Sequence, residues 1–305
     1  MRRYLLVIFI LVPLMTFAQR GKRYRWEAGV DIGATNFLGD LGGANQVGTH
    51  FVRDLEMSLT RPAVGVHVRY RKDRWLGYRA NLGYGKVTGD DALTQEKYRM
   101  NRNLNFKSNI FEFSAVMELY VTKERPGHVY KYKKVKGWKH LEIQGYGFLG
   151  IGGFYYNPKG YFNGKWYDLR PYRTEGEGLK AGTKMYSRYS LCFPMGFGMK
   201  YGLNKQWSIG LEYGLRLTIT DYIDDVSTVY YDPAQIAAAQ TNYVDQIMAV
   251  HFADPNLGQI PVVDGISVTG PGQQRGDSRH KDAYMFMHIT VNYKIGKIKK
   301  THPKF

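Results

Sequence analysis

The chain has 305 residues and carries 43 Lys and Arg against 26 Asp and Glu, a formal charge of +17. Charged residues make up 23% of the chain, which argues against a bundle of membrane-spanning helices. The single cysteine, Cys192, excludes an intrachain disulfide and a cysteine-based metal cluster. The positive charge is compatible with nucleic-acid binding, so its meaning depends on where it lies.

Residues 1–18 have the layout of a secretory signal peptide, with a basic start, an apolar stretch and a cleavage site after Ala18. The apolar stretch is shorter than the roughly 18 residues that a membrane-spanning helix needs. Gln19, rather than a cysteine, would begin the mature chain, which argues against a lipoprotein. We expect residues 19–305 to be exported as a single domain with a net charge of +15, and export argues against a nucleic-acid partner.

Eight segments of the mature chain alternate apolar with polar or small residues, a pattern that predicts β-strands. They are residues 26–33, 64–71, 76–85, 111–119, about 140–156, 189–201, 207–219 and 283–293. Many are longer than the strands of a soluble sandwich and match the about 9–11 residues of a membrane-crossing strand. The phase of the fifth segment is unclear, and Gly145 is a candidate β-bulge.

The second face of these strands favours a narrow lumen, because it carries glycines and isolated charges of both signs. Strand edges must close in lipid, and side chains just fill an eight-stranded barrel. We therefore predict an all-β fold, a closed eight-stranded antiparallel up-and-down transmembrane barrel. The competing fold, a soluble lipocalin-like barrel, has an apolar inside and a polar outside. The residues expected to pair in the lumen are Arg69, Arg79, Glu112, Glu118, Glu142, Glu212 and Arg216.

The connections predict the orientation of the barrel. Short ones fall at 71–75 and 202–206, and long ones at 37–59, 87–108, 157–188 and 221–281, as in barrels with short periplasmic turns and long outer loops. Both termini would then lie in the periplasm, and the basic turn 122–139 is a long exception on that side.

The last loop contains a predicted helix. It would begin at Asp232-Pro233, and Ile236, Tyr243, Ile247 and Val250 recur after it at helical spacing. The aromatic residues expected at the membrane interfaces are Trp26, Tyr70, Trp75, Tyr120, Trp138, Tyr201, Trp207 and Tyr293.

The charge concentrates on the predicted periplasmic side. With these boundaries the outer connections sum to −2, the strands to −1, and segments 19–25, 71–75, 122–139, 202–206 and 294–305 to +18. This face is either a solvated surface leaning on anionic groups of the membrane or a docking surface for an acidic periplasmic partner. The candidate docking residues are Lys131, Lys133, Lys134, Lys136, Lys297, Lys299 and Lys300.

No catalytic or phosphate-binding motif with the required spacing occurs in the sequence. Ser190, Glu212 and His288 could meet in the lumen as the Ser-His-acid site of a lipid hydrolase, although many lumens would supply such a trio by chance. Asp221, Asp224 and Asp225 either bind a cation or form a turn that ends a strand. We predict a non-enzymatic protein without a cofactor.

Four segments resemble the PorG-like family: 36–42 (NFLGDLG), 150–158 (GIGGFYYNP), 193–201 (FPMGFGMKY) and 220–227 (TDYIDDVS). The resemblance implies a small outer-membrane barrel of Bacteroidota, belonging to the type IX secretion system and associated with gliding motility. It also implies contact with outer-membrane lipid and with a periplasmic ring of PorK-like and PorN-like proteins. The alternative is a barrel that binds an extracellular ligand or surface through its outer loops.

Overall fold

The computed structural model describes residues 25–41, 59–122, 143–204, 206–260, 262, 265 and 267–295. The signal peptide 1–18, most of the basic turn 122–139 and nearly all of the tail 294–305 lie outside these residues. The strands are β1 (Trp26–Leu38), β2 (Arg61–Arg71), β3 (Leu76–Asp90), β4 (Asn105–Tyr120), β5 (Ile143–Phe162), β6 (Lys165–Asp168), β7 (Tyr189–Gly202), β8 (Trp207–Thr218) and β9 (Ala283–Ile295). The helices are α1 (Lys97–Arg102), α2 (Pro233–Ala238) and α3 (Tyr243–Ala253).

Eight of these strands close into an antiparallel barrel, which confirms the predicted fold. Their order is β4-β3-β2-β1-β9-β8-β7-β5, and β4 also pairs with β5. The first and last strands, β1 and β9, pair from Trp26↔Ile295 to Leu38↔Ala283. Closure leaves each of these eight described strands with a partner on both sides, which a barrel in lipid requires. The short strand β6 lies outside the ring and forms a hairpin with the end of β5.

The two faces of the barrel differ as a membrane barrel requires. Along β7 the outward Phe197 is 61% exposed, whereas the inward Lys200 is 2% exposed. The other strands repeat this alternation of apolar outside and polar inside, the reverse of a lipocalin-like barrel. None of the described helices is long and apolar enough to cross a membrane.

Several boundaries differ from those predicted. β3 and β4 stay paired up to Asp90↔Asn105, so the second outer connection is 91–104 rather than 87–108. Gly145 pairs with Met199 in an unbroken register, so the predicted bulge is wrong. Tyr120 was expected at the interface but is 2% exposed, because the alternation that turns Leu119 outward turns its neighbour into the lumen.

The long connections, predicted to lie on the outer side, fold into a cap over one end of the barrel, termed the outer end. Ile236 of α2 and Met248 and Phe252 of α3 are buried against Leu169 and Tyr172 from the connection after β6. This helical face is not the predicted one. Of the residues that suggested a helix, only Ile236 is buried, and the other three, Tyr243, Ile247 and Val250, are exposed.

Candidate functional site

A chain of ion pairs crosses the lower lumen, which is the half farther from the cap, and Arg79 of β3 joins two of its carboxylates. The Arg79 guanidinium holds Glu212 of β8 in a two-point contact, Nη1 to Oε2 at 2.5 Å and Nη2 to Oε1 at 2.9 Å. Its Nε lies 3.0 Å from Oε1 of Glu118 on β4. The Tyr146 hydroxyl donates to Glu212 at 2.8 Å. Because Gly198 has no side chain, the Tyr146 ring can occupy this position: a Cβ at Gly198 would lie 2.5 Å from the ring.

The same chain continues through Arg69 of β2, which is fully buried. Arg69 Nε lies 2.7 Å from Glu118 Oε2, and its Nη1 donates to Glu27 of β1 at 3.1 Å. Lys200 of β7 donates to the same Glu27 oxygen as Arg69, with its Nζ 2.7 Å from Glu27 Oε2. Three carboxylates and three cations from six strands thus neutralise one another, which offsets much of the cost of burying them.

Two further polar groups lie in the lumen. On one side the His67 ring lies between Asp31 and Asn292, with each ring nitrogen 2.8 Å from an oxygen. Nearer the outer end, Glu112 accepts hydrogen bonds from Arg216 at 3.2 Å and Tyr284 at 2.9 Å.

The structure brings six of the seven predicted lumen residues into this network. Arg69, Arg79, Glu118 and Glu212 belong to the long chain, and Glu112 pairs with Arg216. Glu142 lies outside the described residues. Sequence reasoning missed Glu27, Asp31, His67 and Lys200, although the alternation places all four on the lumen side of their strands.

Above the ionic network, the outer part of the lumen is packed with apolar and aromatic side chains. The residues that form this plug include Phe37, Phe106, Ile110, Phe154, Tyr156, Tyr284 and Phe286, all buried. Ile223 and Val226, from the segment after β8, are part of the same cluster. Side chains therefore fill the described lumen at both levels, and this barrel is built as a solid body rather than a channel.

The acidic residues after β8 hold segments of the outer cap to one another. Asp224 accepts hydrogen bonds from the backbone N–H groups of Leu41 and Val226, both at 3.0 Å. Asp221 accepts from the Ser227 hydroxyl at 2.7 Å, and Asp225 from the hydroxyls of Thr174 and Tyr186. These are the contacts of a turn that ends a strand. Within the described ranges, no group of three His, Cys, Asp or Glu side chains is placed to hold a metal ion.

Burial makes the cap sensitive to protonation. Burial, with the nearby charges of Asp225 and Glu175, raises the pKa of Glu177 to about 8. Burial also raises the pKa of Asp225 to about 6, although Arg275 opposes the change. Arg275 is itself buried and donates to Glu175 Oε1 at 3.0 Å and to the carbonyl oxygen of Asp225 at 2.6 Å. One arginine thus holds together a cluster with more carboxyl groups than cations.

The geometry rules against the Ser-His-acid trio. His288 and Glu212 are register partners in the lower lumen, and Glu212 is engaged by Arg79 and Tyr146. Ser190 lies eight residues along β7 from Gly198, the β7 partner of Glu212, which is about 26 Å at the usual rise of a strand. The three side chains cannot act together.

The seven candidate docking lysines, Lys131, Lys133, Lys134, Lys136, Lys297, Lys299 and Lys300, lie outside the described residues. Two other residues counted in the inner-face charge prove to be buried in the lumen. Arg71 donates to Gln144 and lies 4.0 Å from the centre of the Tyr120 ring, and Lys294 is 5% exposed on β9. The excess of positive charge on the predicted inner face is therefore two charges smaller than the predicted strand boundaries gave, because strand alternation turns these two side chains into the lumen.

A closed barrel with an apolar belt outside, ion pairs inside and long loops at one end is an outer-membrane-type β-barrel. A family model described as a domain of unknown function, DUF6089, matches residues 2–236, and the chain belongs to this family. No curated protein matches the chain significantly.

Three solved structures are similar to the chain at low sequence identity. They are surface protein A of Neisseria (9% identity, TM-score 0.36, covering 88% of this chain and 97% of that one), the attachment invasion locus protein Ail of Yersinia pestis (8%, 0.34, 89% and 98%) and OprG of Pseudomonas aeruginosa (9%, 0.35, 90% and 98%). At these identities and scores the similarity says nothing about function.

Proposed function

We propose that this protein is a non-enzymatic outer-membrane component of the type IX secretion machinery that anchors a periplasmic ring complex through its basic inner face. The observation that carries the proposal is the concentration of lysines in the turn 122–139 and the tail 294–305. The resemblance of segments 36–42 and 220–227 to the PorG-like family supplies the partner class, PorK-like and PorN-like ring proteins, and the association with gliding motility.

The lumen supports an anchoring role. The buried carboxylates Glu27, Glu118 and Glu212 are each bound to Arg or Lys inside the barrel. They are therefore not free to neutralise the lysines of the inner face, which remain available to an acidic partner. The same engagement argues against a catalytic use of these carboxylates.

The test is charge reversal on the inner turn. Lys131, Lys133, Lys134 and Lys136 are changed together to Glu, and the ring proteins that co-purify with the membrane-inserted barrel are measured at moderate salt. We expect recovery of the ring proteins to fall severalfold and secreted cargo to accumulate in the periplasm. The matched control reverses four exposed cations of the outer end, Lys97, Lys180, Lys184 and Arg279. Unchanged recovery with the inner variant, or an equal loss with the control, would contradict the proposal.

A second candidate function is binding of an extracellular ligand or surface through the outer loops. The observation that favours it is the exposed apolar face of the cap, where Tyr243 is 75% and Val244 67% exposed. Deleting the loop would remove the buried Ile236, Met248 and Phe252, so point substitutions are needed. Loss of cell-surface attachment in the variant Tyr243→Ser, Val244→Ser, with secretion intact, would support this function over the first.

A further inference from the structure

Three lysines gather on the outward-facing side of the barrel at its outer end. Lys107 of β4 pairs directly with Lys159 of β5. Lys86 of β3 pairs with Asn109, which lies two residues from Lys107 on the same outward side of β4. Together with Trp166 of β6 these residues line a recess of ≈ 200 Å³. Like charges directly opposite each other destabilise a strand pair, so a bound anion would stabilise this arrangement.

The height of the lysines follows from a row of outward-facing aromatic rings. Tyr84, Phe111, Tyr155 and Tyr189 lie side by side on β3, β4, β5 and β7, with ring centres 4.9, 6.4 and 5.2 Å apart. Such a girdle marks the boundary between the hydrocarbon and the headgroups. Lys86 follows Tyr84 by two residues and Lys159 follows Tyr155 by four, or about 7 and 13 Å along the strands. The lysines therefore lie at the level of the lipid headgroups.

The charge of the recess is only partly balanced. Among the described residues neither Lys86 nor Lys107 forms an ion pair with a carboxylate, and the Lys107 ammonium lies 4.0 Å from the centre of the Trp166 ring. Lys159 Nζ lies 2.9 Å from Asp168 Oδ1, and Arg188 lies 3.5 Å from the other oxygen of Asp168. One carboxylate thus faces several cations, which leaves a positive site.

We propose that Lys86, Lys107 and Lys159 form a docking site for the phosphate group of an anionic lipid in the outer leaflet. Ammonium groups are suited to phosphate as compact point charges, and the recess lies on the lipid-facing side of the strands, above the aromatic row. A lipid held here would relieve the repulsion between Lys107 and Lys159. The inference rests on the membrane placement proposed above and is independent of the role in secretion.

The test uses the full mature chain in detergent and measures retention of bisphosphorylated lipid A by native mass spectrometry. The double variant Lys86→Gln, Lys107→Gln should lower the apparent affinity about tenfold, as expected for two surface contacts with a phosphate. The control variant Lys180→Gln, Lys184→Gln loses the same charge from the cap and should bind within twofold of the parent. Asp168→Asn removes the competing carboxylate and should strengthen retention, a gain that damage to the fold would not produce.

Three results would overturn the proposal. They are equal losses in the two double variants, no gain with Asp168→Asn, or full displacement of lipid A by an equal concentration of inorganic phosphate, which would indicate a soluble-anion site. If the double variant does not fold, the single variants Lys86→Gln and Lys107→Gln are measured by the same criteria. Membrane insertion is checked separately by heat-dependent gel mobility. A barrel that fails to insert contradicts the placement, whereas an inserted barrel without lipid selectivity contradicts only the docking site.

Discussion

The backbone N–H of Leu41 donates a hydrogen bond to the Asp224 carboxylate at 3.0 Å, across 183 residues of sequence. Leu41 ends the described part of the first outer loop, and Asp224 lies in the segment after β8. Asp224 also accepts from the N–H of Val226, which packs into the plug of the lumen. Segments 36–42 and 220–227 are therefore in contact at the outer end of the barrel.

Replacing Asp224 with Ala should loosen this closure. Two buried N–H groups lose their acceptor, at a cost of about 1–3 kcal/mol each. We expect a lower midpoint in thermal unfolding, followed by the shift in gel mobility, and faster proteolysis of the cap. Asp277→Ala removes a partly exposed carboxylate of the same cap and serves as the control, with a change within about 0.5 kcal/mol. Equal effects of the two substitutions would show that Asp224 has no specific role in holding the two loop segments together.

Replacing Arg79 with Met should destabilise the barrel, because Glu212 and one oxygen of Glu118 would lose their partner inside the lumen. Removal of one member of a buried ion pair costs about 3–5 kcal/mol. The double variant Arg79→Met, Glu212→Gln should recover part of this loss. The measurement is the free energy of unfolding by urea in lipid bilayers, combined as a double-mutant cycle. A coupling energy near zero would mean that the two-point contact contributes nothing to stability.

Gly198 and Gly145 allow the same substitution to be compared on the two faces of the barrel. A Cβ at Gly198 would lie 2.5 Å from the Tyr146 ring, whereas no atom lies within 4 Å of a Cβ at Gly145. Gly198→Ala should displace Tyr146 from Glu212 and cost about 1–3 kcal/mol of unfolding free energy. Gly145→Ala should be nearly neutral. Similar values at the two sites would contradict the conclusion that Gly198 leaves room for the Tyr146 ring in the lumen.

The outer cap should be more stable in mild acid than in mild alkali. The pKa of Asp225 is raised to about 6 and that of Glu177 to about 8, above the values near 4 of the unfolded chain, so folding favours their protonated forms. Their contribution is complete below about pH 4 and is lost as the pH rises through 6 and 8. Hydrogen exchange of the amides of Ser227 and Thr228, which donate to Glu175, reports the opening of the cap.

The matched variant for this pH dependence is Glu177→Gln. Of these two groups it removes the one with the higher pKa, so the loss of protection that Glu177 causes between about pH 6 and 8 should disappear, while the change up to about pH 6 due to Asp225 remains. Protection that increases with pH in the parent chain would contradict the assignment.

The alternation of residues in segments such as 189–201 and 207–219 was sufficient to predict the barrel, because lipid outside and a narrow lumen inside impose opposite preferences on successive side chains. The same rule identified Arg69, Arg79, Glu118 and Glu212 as lumen residues. It also turns Tyr120 into the lumen, whereas the position of this residue at a strand end had suggested the membrane interface.

The partners of the lumen residues could not be predicted in this way. Alternation fixes which face a side chain occupies, whereas the pairing of Glu27 with Lys200, 173 residues apart, depends on the register and closure of the strands. The contacts between the loops of the cap could not be predicted for the same reason. The sequence by itself determined a membrane-type barrel and concentrated the basic residues in segments that are predicted to lie at its inner end. Only the tertiary structure decided that Asp224 ties two distant loops together and that lysines from three strands meet above the aromatic row. The physical reason is that the local sequence pattern reflects whether each residue faces lipid or the lumen, whereas contacts between distant strands form only when the barrel closes.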